Sequence, residues 1–488
     1  MNAYDVVVIG GGSGSQVATA AASKGLDAAV VEPGPLGGAC ITRGCVPSKA
    51  LIHRAAIVDE IERAGRFGID AELREIDFDA ITSTVHDIVY GKAEHQERML
   101  EEMDHLTYYR GRGRFVDDHT IAIDEADGIP AGSEPSSGGN ELDRIRADTV
   151  VVAVGSRPRI PPIDGLEDVE YLTSDDALFL DEQPATLVIV GGGYIAAELG
   201  YFFDAVGTDV SIVGRSDRLV SREDGDVSEA VTHALEDRLE VYTGHEAVAV
   251  SPGNDGKSVS LTIDAGDHEP VDLSAEHLLL ATGRWPNTDT LALEETSVKT
   301  DDDGYVETDE FLKTDAENVW ALGDVVGTHP FKHTADYEAR CVTTNVLEDS
   351  QRPVDYTNLP HAIFTSPQVG SVGRTEAELD DEGVEYESAL VTYDAAPLGL
   401  ILQKPNCFVK VLSEPDGTIL GCHVVGPQAS TMIHEVVVSL QHGTGMVDDI
   451  ADTVHVHPAL NEVLLAAFDE LSARRYSTAP DWRNASDR

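Results

Sequence analysis

Residues 4–32 read YDVVVIGGGSGSQVATAAASKGLDAAVVE. The apolar, β-branched run over 4–9 predicts a buried parallel strand. Gly10, Gly11, Gly12 and Gly14 follow, and the alanine-rich stretch 16–23 predicts a helix. A second strand is expected over 28–31, ending in Glu32. Strand, glycine turn, helix and strand in this order open a dinucleotide-binding α/β fold. In Gly10-x-Gly12-x-x-Ser15 the first glycine permits the tight turn, and the second lets the backbone approach a pyrophosphate. The helix N-terminus adds N–H donors and a positive dipole end. Gly10, Gly12, Ser13 and Gly14 are thus the expected cofactor-binding positions, with Glu32 placed to accept from a ribose hydroxyl. Ser15 stands where a third glycine is usual, so looser packing of helix on strand is expected there.

The same grammar recurs: strand 186–190, Gly191 to Gly193, helix 194–205, strand 209–213. Two such openings imply two dinucleotide sites, the second on Gly191 and Gly193. Its second strand ends in Val213-Gly214-Arg215, with Arg218 close by and no carboxylate where a free ribose hydroxyl wants an acceptor. Two guanidinium forks suit a 2′-phosphate, so NADPH is expected there. Between the two openings, residues 117–148 predict a meander carrying a long acidic loop. A buried strand over 150–154 runs into Gly155, Arg157 and Pro158, and the stretch 278–283, ending in Gly283, repeats that theme with Arg284 and Pro286. Beyond Asp355, strands separated by helices predict an α+β domain.

The chain has 488 residues, enough for two or three domains. Its 88 Asp and Glu against 34 Lys and Arg leave a formal net charge of -54. Spread over regular apolar segments, that surplus predicts a solvated acidic surface of the kind found in halophilic proteins. No basic stripe exists to neutralise phosphates, so nucleic acid is not an expected partner. No apolar run is long enough to span a bilayer. The N-terminus enters the first strand at once, which predicts a cytoplasmic protein without a signal peptide. Of five cysteines, Cys341, Cys407 and Cys422 are scattered and expected to be buried and inert.

Cys40 and Cys45 differ. They sit in Gly37-Gly38-Ala39-Cys40-Ile41-Thr42-Arg43-Gly44-Cys45-Val46-Pro47-Ser48-Lys49. Two cysteines five apart at a helix start can bridge, and a thiolate there gains from the helix dipole and a nearby cation. A zinc site needs further Cys or His at ligand spacing, and none is near.

The block GGACITRGCVPSK resembles the redox-disulfide segment of the pyridine nucleotide–disulfide oxidoreductases, and the similarity extends over nearly the whole chain. The resemblance implies two Rossmann-like domains, for FAD (1–165 and 285–354) and NADPH (166–284), and a C-terminal α+β dimerisation domain (355–488). It implies that Cys40 exchanges with substrate and Cys45 contacts the flavin. Lys49 would lie near flavin N5 with Glu198, in GYIAAE, as its partner. Ala281-Thr282-Gly283-Arg284 and Ala321-Leu322-Gly323-Asp324 resemble two later FAD-domain motifs, and Asp324 would bind the ribityl chain. In the segment from His455 to Glu462, His457 and Glu462 match the family's acid–base histidine and its carboxylate. That histidine serves the cysteines of a second identical subunit, so a homodimer is implied. Arg340 falls where a substrate carboxylate is held in glutathione reductase, and its surroundings resemble mycothione reductase. The expected substrate is a small thiol disulfide such as bis-γ-glutamylcystine. The alternatives are an NAD-dependent dihydrolipoyl dehydrogenase and, fitting less well, a mercuric reductase.

Overall fold

The computed structural model describes residues 1–125, 141–253, 256–266, 269–348 and 350–473. Much of the acidic loop expected within 117–148 lies outside them. The chain divides into two units. Residues 1–187, 249–260 and 274–355 form the first, and 188–248, 261–273 and 356–488 the second.

The first unit is built on strand β1 (Asn2–Ile9), helix α1 (Ser15–Ser23) and strand β2 (Ala28–Glu32). Side chains alternate across a strand, and both faces of β1 are buried. Val6 and Val8 pack with Val17, Ala18 and Ala21 of α1, whereas Val7 and Ile9 pack with Phe115, Ile121 and Ile123. The short helix α2 (Gly38–Thr42) and the long helices α3 (Cys45–Glu62) and α4 (Phe78–Glu101) follow. Asp77 caps α4 by accepting from the Ala80 N–H at 3.0 Å.

Strands β3 (Leu106–Arg110), β4 (Arg112–Asp117), β5 (Thr120–Asp124) and β6 (Glu141–Val152) complete a sheet of order β3-β2-β1-β6-β5-β4. The expected strand over 150–154 is only the end of β6. Its first half pairs antiparallel with β5, and Val150 to Val152 pair in parallel with Val319 to Ala321. Within the stretch expected to repeat this theme the strand is His277–Leu280, and its glycine turn stands outside it.

The looser packing expected at Ser15 is not found. A side chain on Gly14 would lie 2.4 Å from Ala153 Cβ and 3.0 Å from Val8 Cγ1, so the close approach happens one residue earlier. Ser15 instead donates from its hydroxyl to the Gly12 carbonyl at 2.7 Å.

In the second unit, helix Tyr194–Ala205 lies between strands Thr186–Val190 and Asp209–Gly214, as expected. Strand Glu240–Thr243 extends that sheet in parallel. The C-terminal part is a five-stranded antiparallel sheet running from His361 to Val425, packed against helices Ala429–His442 and Asn461–Leu471.

A buried charge network joins its segments. Lys410 Nζ lies 2.7 Å from Asp224, 2.5 Å from Asp226 and 2.7 Å from Glu376. Asp224 is fully buried. Burial alone would raise its carboxyl, but the Lys410 hydrogen bond prevails and holds it below the usual range. Glu223 next to it behaves alike, because the bonds from His361 at 2.7 Å and Ser371 at 2.9 Å outweigh its desolvation. Among the described residues, no helix is long and apolar enough to cross a membrane.

Candidate active site

The first glycine loop has the backbone its sequence requires. Gly10 has φ +117°, and a Cβ there would lie 2.1 Å from the Ala153 carbonyl oxygen, so only glycine fits. The Gly11 N–H donates to Glu32 Oε2 at 2.6 Å, and the Gly34 N–H to Oε1 at 3.0 Å. Glu32 is thereby fixed beside the loop at the end of β2. Burial pushes its carboxyl up, with these two bonds and Arg43 opposing. Ser13 and Gln16 both donate to Asp336 Oδ1, at 2.9 and 2.5 Å, and Lys332 pairs with the same carboxylate. Lys332 and Asp336 open the helix Lys332–Leu347, and sequence reasoning assigned neither of them.

The two repeated motifs meet. Ser156–Pro158 and Arg284–Pro286 form a two-stranded antiparallel ribbon, flanked by Gly155 at φ +67° and Gly283 at φ +108°. Ser156 Oγ donates to Asp324 Oδ2 at 2.5 Å, and Arg284 donates to Ser156 Oγ at 2.7 Å. Leu322 N–H bonds the Val152 carbonyl, which carries Asp324 to the end of the central sheet. Glycine loop, Glu32 and Asp324 thus line the ends of neighbouring strands in one unit, an arrangement that fits a dinucleotide cofactor.

The cysteine segment is docked on that loop. A Cβ on Gly38 would meet Gly12 Cα at 2.8 Å, so the start of α2 touches the glycine turn directly. Cys40 lies in α2 and is half-buried, whereas Cys45 is the first residue of α3 and exposed. The two side chains are hydrogen-bonded to each other. The expected ease of forming a thiolate does not hold for Cys40. A hydrogen bond with Cys45 is the main cause pushing its thiol up, burial adds to it, and Lys332 acts in the opposite sense. Cys45 occupies the N-terminal position of an 18-residue helix, where the dipole favours a negative sulfur. Arg43 in the intervening loop pairs with the buried Asp175 at 3.3 Å. Lys49 is half-buried on α3. Arg340 is exposed and lies over the Tyr337 ring at 5.8 Å, eight residues beyond Lys332 on the same helix. At 1.5 Å rise per residue that is about 12 Å. Cys341, Cys407 and Cys422 are buried, as expected.

In the second unit Gly191 has φ +137°, and Gly193 starts the helix Tyr194–Ala205. Glu198 is buried on that helix and accepts from the Phe364 N–H at 2.9 Å. Arg215 and Arg218 stand past the strand Asp209–Gly214, where Arg215 is 3.8 Å from Glu246 and Arg218 is 3.4 Å from Glu229. His457 Nδ1 lies 2.9 Å from Glu462 Oε1, and Glu462 Oε2 accepts from the Ala459 N–H at 3.1 Å. That carboxylate holds the ring through Nδ1, and the His457 side chain is 68% exposed.

Residues 4–339 match the family model for pyridine nucleotide-disulphide oxidoreductases, and 359–468 match that family's dimerisation domain. The chain belongs to this family. Its members bind FAD and use a nicotinamide nucleotide, and it has the two dinucleotide-binding folds and C-terminal dimerisation domain expected. The chain is 34% identical over 476 residues to mycothione reductase of Mycobacterium tuberculosis, covering 95% of this chain and 98% of the relative. It is 33% identical over 470 residues to dihydrolipoyl dehydrogenase 3 of Haloarcula marismortui, covering 95% of each. The HOCl-induced flavoprotein disulfide reductase RclA from Escherichia coli has the same fold, with a TM-score of 0.84 at 24% identity, covering 97% of this chain and 100% of that one. The chain is therefore an FAD-dependent oxidoreductase of the disulfide family.

Proposed function

We propose that the protein reduces a small thiol disulfide, bis-γ-glutamylcystine or a close analogue, with NADPH. The carrying observation is the seating of Cys40 within α2 and of Cys45 at the start of α3, with α2 packed against the glycine loop. Gly10, Gly12, Ser13, Gly14, Glu32, Gly155, Gly283 and Asp324 would hold FAD, which when bound would supply a two-electron route between nicotinamide and the cysteine pair. The rest is the work of side chains. Cys40 attacks the substrate disulfide, breaking its S–S bond and forming a mixed disulfide. His457 of the partner subunit, oriented by Glu462, takes the Cys40 proton and returns it to the departing thiol. A base is needed because the Cys40 thiol is pushed up by Cys45 and burial. Cys45 then attacks the mixed disulfide, releasing the second thiol and restoring the Cys40–Cys45 bond. Lys49 and Glu198 are assigned to the flavin, and Arg340 to a substrate carboxylate. We read residues 1–165 with 285–354, 166–284 and 355–488 as the FAD, NADPH and dimerisation domains. We also read the protein as cytoplasmic. Turnover on bis-γ-glutamylcystine, oxidised glutathione and dihydrolipoamide, each with both nicotinamides, tests the assignment; a preference for dihydrolipoamide with NAD would overturn it.

Gly191, Gly193, Arg215 and Arg218 are the proposed nicotinamide-side contacts. A charge-assisted bond is worth about 1.5–3 kcal/mol, so each arginine replaced by Ala should raise KM for NADPH about tenfold or more, with little change for NADH. The second reading, NAD with a dihydrolipoyl substrate, is favoured by Glu246 and Glu229, carboxylates that stand 3.8 and 3.4 Å from these arginines. Wild type preferring NADH would decide for it.

The net charge of -54 supports a halophilic reading. Screening shortens charge repulsion from about 10 Å reach at 0.1 M salt to about 3 Å at 1 M. Activity and dimer content should therefore climb together from dilute buffer toward molar KCl. A stable, fully active dimer in dilute buffer would refute this.

A further inference from the structure

The loop before helix Asn461–Leu471 carries a second imidazole–carboxylate pair beside His457–Glu462. His455 Nε2 lies 2.5 Å from Glu435 Oε1, and its Nδ1 lies 2.9 Å from the Thr453 carbonyl oxygen. A carbonyl only accepts, so Nδ1 carries a hydrogen, and Nε2 shares a proton with the carboxylate. The other oxygen, Glu435 Oε2, accepts from Asn461 Nδ2 at 2.7 Å. Glu435 therefore bonds both the loop and the first residue of the next helix.

The supporting element is rigid. Glu435 belongs to the helix Ala429–His442, whose Met432, Ile433, Val436 and Val437 are buried in the core of the C-terminal sheet. At its start the loop is tied to the preceding turn, where Thr453 donates from its N–H to the Ile450 carbonyl and from its hydroxyl to the Asp449 carbonyl. Residues 452–454 and 456–458 are exposed, and only His455 turns inward, with its side chain 6% exposed. His457 hangs between the two points, His455 and Asn461, that Glu435 secures. Glu462 fixes the ring of His457 and reaches the loop backbone on its C-terminal side, through the Ala459 N–H, whereas Glu435 secures the N-terminal side through His455. Burial pushes the Cys422 thiol up, and the nearby Glu435 carboxylate adds to it.

We propose that His455, Glu435 and Asn461 form a positioning device that holds the His457 loop in register for proton transfer to the departing thiol. This rests on the reading of His457 as the proton carrier. A loop free to drift by about 1 Å loses roughly a hundredfold in a reaction that depends on aligned donors.

The test is a double-mutant cycle in the dimeric, FAD-loaded enzyme. His455→Ala and Glu435→Ala should each lower kcat about ten- to a hundredfold, with KM for the disulfide within about twofold of wild type. Glu435→Gln, which keeps one acceptor oxygen and the side-chain volume, should recover much of the loss. In a His457→Gln background, His455→Ala should cost nothing further, because the group it positions is gone. Equal losses in both backgrounds, or a rise in KM alone, would overturn the proposal. If His455→Ala fails to fold, Glu435→Ala and Asn461→Ala carry the same cycle. Full turnover by His457→Gln sinks the proton-carrier reading itself. Loss in His457→Gln with unchanged kcat in His455→Ala sinks only the positioning role.

Discussion

Cys40→Ser should abolish disulfide reduction, by at least about a thousandfold, while NADPH still reduces an artificial acceptor such as ferricyanide. Removing the sulfur that forms the mixed disulfide leaves no covalent route to product, and a hydroxyl cannot substitute for a thiolate in exchange. Cys45→Ser should be equally inactive on disulfides, for a different reason. It should also relieve the Cys40 thiol of its main upward influence, the hydrogen bond between the two sulfurs. Alkylation of Cys40 in the reduced Cys45→Ser protein should therefore set in at lower pH than in reduced wild type. Substantial disulfide turnover by either variant would remove the cysteine pair from the reaction. An unchanged alkylation profile would show that Cys45 does not control its neighbour.

Lys410→Met should lower the thermal midpoint by roughly 10 °C, the second-largest effect expected of one substitution. Breaking a buried ion network by removing one partner costs about 3–5 kcal/mol, and one kcal/mol moves a unit of this size by about 2–4 °C. The variant leaves Asp224, Asp226 and Glu376 facing one another without their ammonium. In the wild type, Asp224 and Glu223 are held below their ordinary values of 3.8 and 4.5. Their contribution is complete above those values and lost as pH falls through the lower folded ones. In the variant the clustered carboxylates are stabilised by protonation, so the gap between the two proteins should narrow on acidification. Melting curves between about pH 2 and 8 read both effects. A midpoint within a degree or two of wild type, or a gap indifferent to pH, would rule the network out as a stabilising element.

The sequence was most legible where chemistry restricts the backbone. Gly10 and Gly191 sit at positive φ, and the helix Tyr194–Ala205 matches its expected bounds because a glycine turn starts it. The motifs around Gly155 and Gly283 were recognised as a repeated theme, but their pairing as a ribbon was not visible, since register is set in three dimensions. Lys332 and Asp336 escaped notice for the same reason. Each is an ordinary surface type until Ser13, Gln16 and the cysteine segment are brought to them. The reading of Ser15 failed instructively. It assumed that the third motif position always makes the close contact, whereas Gly14 makes it here. Lys410 could not have been found, because nothing in KVLS distinguishes a buried ammonium from an exposed one.

Strand β6 carries a consequence for how the chain comes together. Val150 to Val152 hydrogen-bond in parallel with Val319 to Ala321, segments 169 positions apart (150 to 319). During synthesis β1, β2 and β6 emerge early, yet this flank of β6 stays open until the whole intervening stretch has been made. Such a long-range closure is slow, because the entropy of the loop is lost before the contact rewards it. Until then the nascent chain presents an unpaired, valine-rich edge, the kind of surface on which other strands assemble. The surplus of negative charge gives it a second role at this stage, keeping incomplete chains apart while the last strand is awaited.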